Sequence, residues 1–203
     1  MAFDNKEIEI KLAVDAASFA RIQAWLDVHA LKRGTKRQLD TYYTPPDRDF
    51  MAEEYPYEWL SIRRRGEKAL INYKHFYPEH EAIHSYGDEL ETVIEDPEKL
   101  TKIFQALQMR EVVTVDKVRT TYLLEDVFEI AVDEVVHLGQ FIEIEALKDF
   151  GGIEATRAAL EEVVKRLGLK GVPADTHGYV YHLYHRLKKE TDEITRDLSA
   201  EMS

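Results

Sequence analysis

Acidic and basic side chains recur at alternate positions in several short stretches of this sequence. The acidic ones are Glu7, Glu9, Glu89, Glu91, Glu129, Asp133, Glu143 and Glu145, and the basic ones are Lys11, Arg63, Arg65, Lys74, Lys117 and Arg119. Carboxylates are suitable ligands for Mg²⁺ or Mn²⁺, which bridges phosphate oxygens, while Arg and Lys neutralise the remaining negative charge of a phosphate group. A site that combined both sets would therefore suit a phosphate-bearing ligand and a divalent cation.

The alternation itself predicts β-strands whose two faces differ. In the stretch 6–14, Glu7, Glu9 and Lys11 share one face because successive side chains of a strand point to opposite sides. Apolar residues occupy the other face, and later strands repeat the arrangement. If the charged faces converge inside a closed barrel, the apolar faces point outward and need helices to cover them. We therefore predict an α+β fold, a closed or nearly closed antiparallel barrel of about eight strands with a charged lumen and helices outside.

The remaining patterns supply the elements of such a barrel. The predicted strands are 6–14, 39–43, 58–65, 69–76, 88–94, 112–124, 127–135 and 140–146. A first helix is predicted to begin after Asp15 and to run to about residue 30, and a second to begin at Asp96-Pro97. Its predicted buried stripe is Leu100, Ile103, Phe104 and Leu107. Two further helices are predicted at 151–167 and 175–187, and residues 188–203 form a charged tail that either frays or extends the last helix.

Composition limits the classes of function. The chain has 203 residues, 44% of them hydrophobic, which suits one domain at residues 1–187. There is no cysteine, so disulfides and thiol nucleophiles are excluded. The net charge of -12 argues against nucleic acid as a partner. No secretion signal or membrane span is evident, so we expect a cytoplasmic protein that binds no membrane.

Five segments in order carry a resemblance to a known family. The stretch Glu7-Ile-Glu-Ile-Lys11 resembles the Glu-x-Glu-x-Lys signature of the CYTH family, the triphosphate tunnel metalloenzymes. The other segments begin at Asp40, Asn72, Lys117 and Val132 and have the strand parity of the family. The family includes class IV adenylyl cyclases, which this chain resembles most, as well as thiamine and inorganic triphosphatases. The similarity reaches to about residue 187.

The resemblance implies a role for each charged residue. Glu7, Glu9 and Glu143 would bind Mg²⁺ or Mn²⁺, with Asp133 and Glu145 in support. Lys11, Arg63, Lys74, Lys117 and Arg119 would hold the triphosphate, and Lys11, Arg119 and Asp133 would act in catalysis. Many members read Leu-Arg-x-Arg where this chain reads Leu60-Ser-Ile-Arg63-Arg-Arg65, so one basic position is either lost at Ser61 or shifted to Arg65.

Three functions follow from such a site. The first is adenylyl cyclase activity, in which ATP gives cyclic AMP and pyrophosphate. The second is hydrolysis of inorganic, thiamine or nucleoside triphosphate, and the third is binding of a polyphosphate or nucleotide without turnover. The partner is a small triphosphate in each case, namely ATP, tripolyphosphate or thiamine triphosphate, and the resemblance allows a homodimer.

Four local questions stay open at this point. Trp59 either stacks on a substrate ring or packs in the core, and the loop 77–85 is either a lid or a simple connection. Tyr179 and its neighbours on the last helix either dock on a barrel end or cap the lumen. Glu89 and Glu91 either orient basic groups in the lumen or are solvated.

Overall fold

In the computed structural model, residues 6–201 are described, and the side chains within 195–201 are not. The described part contains one antiparallel sheet of nine strands. These are β1 (Lys6–Glu7), β2 (Glu9–Val14), β3 (Leu31–Thr44), β4 (Glu58–Arg65), β5 (Lys68–Tyr77), β6 (Tyr86–Ile94), β7 (Arg110–Leu124), β8 (Phe128–Val135) and β9 (Gly139–Ala146). Their order across the sheet is β1-β6-β5-β4-β3-β7-β8-β9-β2.

The first and last strands in this order are consecutive in the chain, which nearly closes the sheet into a barrel. Only Ile8 separates β1, which pairs with β6, from β2, which pairs with β9. The Ile8 carbonyl accepts a hydrogen bond from Ala146 N at 3.2 Å. The predicted strand 6–14 is therefore split at Ile8, and this accounts for nine strands where about eight were expected.

Four helices lie outside the barrel: α1 (Ala16–His29), α2 (Pro97–Ala106), α3 (Ile153–Arg166) and α4 (Gly178–Glu201). Asp15 caps α1, since its Oδ1 accepts a hydrogen bond from Ser18 N at 2.7 Å. The largest apolar core lies between the outer faces of the sheet and the buried sides of α1 and α3, as predicted, with Ile22, Leu160 and Ile144 wholly buried. Within residues 6–201, no helix is both long and apolar enough to cross a membrane.

The first turns of α4 cover one end of the lumen. Tyr179, Val180 and Leu183 pack against Val115 and Phe141, which belong to the same strand faces as the charged lumen residues. The Tyr179 hydroxyl donates a hydrogen bond to Asp133 Oδ2 at 2.9 Å. The Tyr179 ring therefore caps the lumen, which was one of the two expectations for the tyrosines of this helix.

Two predicted boundaries and part of one predicted buried stripe were wrong. Strand β3 spans 31–44 instead of 39–43, because pairing with β7 runs from Leu31 to Thr44 through a segment without apolar alternation. Helix α4 begins at Gly178 instead of Asp175. It extends to Glu201, which was one of the two expectations for the charged tail. On α2 only Phe104 is buried, while Ile103 and Leu107 are about half exposed. Residues 1–5 and 202–203 of the predicted domain and tail lie outside the described residues, and the division into domain and tail stays a prediction.

Candidate active site in the barrel lumen

The barrel encloses a cavity of about 480 Å³, a size typical of small-molecule sites. Ten of the eleven predicted site residues line it: Glu7, Glu9, Lys11, Arg63, Arg65, Lys74, Lys117, Arg119, Glu143 and Glu145. They meet because strands β1, β2, β4, β5, β7 and β9 each point alternate side chains inward. The eleventh, Asp133, lies behind Arg119 and does not line the cavity.

Carboxylates crowd together where the N-terminal strands meet β9. Glu9 pairs directly with Glu145 across β2 and β9, and Lys74 forms ion pairs with Glu7 and, at 3.6 Å, with Glu9. Burial raises the pKa of Glu145, and the charges of Glu7 and Glu9 help to bring it to about 9. Burial likewise raises the pKa of Glu7 to about 7, although Lys74 opposes the change. This corner of the lumen therefore holds more carboxyl groups than its lysines can keep ionised.

Glu143 joins two of the lumen cations. Its Oε2 lies 3.1 Å from Lys11 Nζ, and its Oε1 lies 3.0 Å from Arg119 Nη2. Burial would raise the pKa of Glu143, but Arg119 and Lys11 outweigh it and hold that pKa well below the usual range. Glu143 is therefore ionised and places two cations beside the cavity.

Asp133 holds Arg119 from behind. Arg119 donates to it through Nε at 2.8 Å and Nη2 at 2.6 Å, a bidentate pair on a carboxylate with no exposed surface. Tyr179 and Lys117 also approach Asp133 Oδ2, at 2.9 Å and 3.7 Å. Burial lowers the pKa of Lys117 to about 8, with Arg119 contributing. The geometry favours Asp133 as a positioning group for Arg119, and its role as a metal ligand stays a prediction.

Glu89 and Glu91 orient Arg63 in the lumen, which answers one of the open questions. Arg63 Nη1 lies 3.1 Å from Glu89 and 3.3 Å from Glu91. Asn72 donates to the same oxygen of Glu89 at 2.5 Å. These contacts fix the guanidinium against β5 and β6, so Arg63 is positioned before any ligand binds.

Arg65 lies in the cavity wall at the same strand parity as Arg63. Ser61 lies on that face as well, where its Oγ accepts a hydrogen bond from Arg63 Nε at 3.3 Å. The structure thus favours Arg65 over Ser61 as the second basic position of this strand. Trp59 both lines the cavity and packs edge-on against Tyr42, with ring centroids 6.1 Å apart.

The donor chemistry of the site suits a divalent cation. Burial, together with the neighbouring carboxylates, raises the pKa values of Glu7 and Glu145, and a cation would favour their ionised forms. Carboxylate oxygens are preferred by Mg²⁺ and Mn²⁺. In the part of the chain that the structure describes, however, no three acidic or histidine side chains form a ready-made metal site. The lysine and arginine pairs described above occupy several of these carboxylates, so cation binding stays a prediction.

The cavity wall also includes charged residues that were not predicted as site residues, among them Asp40 and Arg157. Asp40, 2% exposed, has one oxygen 4.0 Å from Lys117 Nζ and another without a hydrogen-bond partner in the described residues. The position of Asp40 on the inward face of β3 could have been predicted from the alternation of that strand. Arg157 comes from α3, outside the barrel, and donates to the His84 carbonyl at 2.8 Å. No strand pattern could have revealed it. The loop 77–85 also reaches the cavity mouth, through Ala82–Ser85.

Comparison with known proteins agrees with this architecture. A candidate adenylate cyclase of Methanocaldococcus jannaschii is 32% identical over 170 residues, which is 83% of this chain and 91% of that protein. A solved structure from Pyrococcus horikoshii OT3 is 28% identical with a TM-score of 0.70 and covers 89% of this chain and 99% of its own. A Hippeastrum protein, presented as an adenylyl cyclase candidate with a dominant triphosphatase activity, shares the fold at 16% identity and a TM-score of 0.60, over 89% of this chain and 95% of its own. The family model of the CYTH domain matches residues 5–179, and the chain belongs to the CYTH family.

Proposed function

We propose that this protein is a metal-dependent enzyme that acts on a triphosphate-bearing substrate inside the barrel, with the reaction of a class IV adenylyl cyclase. The observation that carries the proposal is one cavity lined by seven lysine and arginine side chains and seven glutamates. The M. jannaschii relative supports the choice of reaction, since it is named as a candidate adenylate cyclase.

The lumen cations would bind the phosphate groups. Lys11, Arg63, Lys74, Lys117 and Arg119 each lie within 4.0 Å of at least one carboxylate oxygen. These pairs hold the cations in place, so little reorganisation is needed when phosphate oxygens arrive. Because the site is largely removed from water, charge that develops on the phosphates would be stabilised more strongly than in solution.

Glu7, Glu9, Glu143 and Glu145 are the residues that would hold Mg²⁺ or Mn²⁺. When bound, such a cation supplies Lewis acidity at phosphate oxygens and offsets their charge. Three of these carboxylates pair with lysine in this structure: Glu7 and Glu9 with Lys74, and Glu143 with Lys11 at 3.1 Å. A bound cation would replace the lysine in such pairs. Asp133 would act indirectly by fixing Arg119.

In the cyclase reaction, the 3′-oxygen of ATP attacks the α-phosphorus, and its proton passes to solvent water. The bond from that phosphorus to the bridging oxygen breaks, and pyrophosphate leaves with its electron pair. The chain's own part is to align the triphosphate and to neutralise the leaving group through Lys and Arg.

Triphosphate hydrolysis is the alternative that a specific observation favours. Glu9 and Glu145 face each other across β2 and β9, so a second carboxylate stands beside Glu9. With a divalent cation bound, this second carboxylate would suit activation of a water molecule that attacks the terminal phosphorus. The Hippeastrum protein indicates that this fold accommodates such an activity.

Product analysis distinguishes these functions. The protein is incubated with Mg²⁺ or Mn²⁺ and, separately, with ATP, tripolyphosphate or thiamine triphosphate, and the phosphorus species are resolved by ³¹P NMR, with a chelator-treated sample as the control. Cyclic AMP and pyrophosphate from ATP are expected. Orthophosphate, above all from tripolyphosphate, would establish the triphosphatase instead. Binding without any product would contradict both and leave a non-catalytic binding module.

A further inference from the structure

One basic residue reaches the cavity from outside the barrel. Arg157 lies on α3, one turn after its first residue, and lines the cavity mouth together with the loop residues His84 and Ser85 and with Thr176. Its Nη1 donates to the His84 carbonyl at 2.8 Å, a part-buried hydrogen bond that fixes the guanidinium at the mouth. The other guanidinium N–H groups have no partner among the described residues.

The charge of Arg157 is uncompensated, unlike that of the five lumen cations that pair with carboxylates. Each of those lies close to a carboxylate, whereas Arg157 forms no ion pair within the described part of the chain. A cation near the N-terminal end of a helix also gains nothing from the helix dipole. An unpaired guanidinium that lines a cavity is suited to bidentate binding of a phosphate group.

Arg21 shows what a structural arginine looks like in this fold. It also donates through Nη1 to a backbone carbonyl at 2.8 Å, and it also lacks an ion pair among the described residues. Its acceptor is Leu167 O, directly after the C-terminal end of α3, where a positive charge is favoured by the helix dipole. Arg21 does not line the cavity, so the two arginines differ in the feature that matters for a ligand.

We propose that Arg157 binds a phosphate group at the cavity mouth, as an anion site beyond the five lumen cations. The proposal rests on the proposed function, because it assumes that the lumen takes a triphosphate. It implies that α3 and the barrel hold the anionic chain together, and that part of the affinity for the substrate comes from outside the tunnel.

Arg157→Gln separates this role from a purely structural one. Glutamine can still donate a hydrogen bond to the His84 carbonyl, so the loop contact is retained while the charge is lost. Arg157→Lys keeps the charge and removes the planar fork, and should give an intermediate affinity. Arg21→Gln is the matched control, since it makes the same substitution at a carbonyl-bound arginine away from the cavity.

The test is calorimetric titration of the full chain with tripolyphosphate in Mg²⁺. Arg157→Gln should weaken binding about tenfold, with a smaller loss at high salt because the contact is between charges, and Arg21→Gln should bind as the wild type does. Wild-type affinity in Arg157→Gln, or an equal loss in both variants, would overturn the proposal and leave the lumen site standing. If the wild type itself binds no tripolyphosphate, both the lumen site and the mouth site are refuted.

Discussion

Replacing Asp133 with asparagine should destabilise this protein strongly, although the two side chains have nearly the same shape. Asp133 is fully buried and receives both hydrogen bonds of the Arg119 fork, at 2.8 Å and 2.6 Å, together with one from Tyr179. Asparagine has one acceptor oxygen, and its amide N–H groups would face these donors. The substitution would also leave the charge of Arg119 with Glu143 as its remaining partner, at 3.0 Å.

The size of the effect follows from burial. Breaking a buried ion pair by removing one partner costs about 3 to 5 kcal/mol. Because Glu143 still compensates part of the charge, we expect about 3 kcal/mol, the lower end of that range. For a chain of this length, that corresponds to a fall in Tm of about 6 to 12 °C.

A second bidentate pair provides the control. Arg37 contacts Asp116 with nearly the same geometry, at 2.9 Å and 2.6 Å, but the Arg37 side chain is 67% exposed. Asp116→Asn should therefore cost less than about 1 kcal/mol. Thermal and urea unfolding of both variants, followed by circular dichroism, measures the difference. If Asp133→Asn costs no more than Asp116→Asn, the buried network described here is wrong.

Three other changes have defined outcomes. Glu9→Gln should lower metal-dependent turnover while the circular dichroism spectrum is retained. The loss should exceed the roughly 10- to 100-fold that is typical of groups that only support a metal ligand. Unchanged turnover would mean that the acidic strand is not the metal site. Tyr179→Phe keeps the ring and loses the hydroxyl contact with Asp133, so the free energy of unfolding should fall by about 1 to 2 kcal/mol in a urea titration, and no change would mean that this contact is absent. Burial opposes ionisation of Asp175, but the hydrogen bond and charge of His182 prevail and lower the pKa of Asp175 to about 2. Ionised Asp175 therefore stabilises the folded protein above its unfolded pKa near 3.8, and this stabilisation is lost as pH falls through 2. Asp175→Asn should therefore cost about 1 to 2 kcal/mol at pH 7, allowing for partial solvation, and close to nothing at pH 2, and urea unfolding that shows equal costs at both values would contradict that sign.

Strand parity was enough to predict most of the site from the sequence. A side chain two residues from a lumen residue must also face the lumen, which placed Glu9 beside Glu7 and Arg65 beside Arg63 without knowledge of the sheet order. The same rule predicted the outward apolar faces and the helices that cover them. For Asp133 the prediction was incomplete. Strand parity predicts to which side of the sheet a side chain points, but not whether it reaches the cavity, and Asp133 lies behind Arg119.

Some features of the structure do not follow from local strand parity. The first half of β3, which contains Gly34 and several basic residues, has no alternation of its own and is a strand because β7 supplies its hydrogen bonds. The sequence left open whether the charged tail extends the last helix, and α4 does continue past Leu187, supported by local pairs such as Arg186 with Glu190 at 3.0 Å. Arg157 lies on a covering helix, where nothing in the local sequence shows that it reaches the cavity.

Arg63 and Arg64 allow the most direct test of the lumen as a triphosphate site. The two arginines are adjacent in β4, yet Arg63 faces the cavity while Arg64 faces outward and lies 3.4 Å from Glu98. Calorimetric titration with tripolyphosphate in Mg²⁺ compares Arg63→Gln with Arg64→Gln. We expect Arg63→Gln to bind at least about tenfold more weakly than the wild type and Arg64→Gln to bind equally well. Equal affinity in both variants would contradict a triphosphate site inside the barrel.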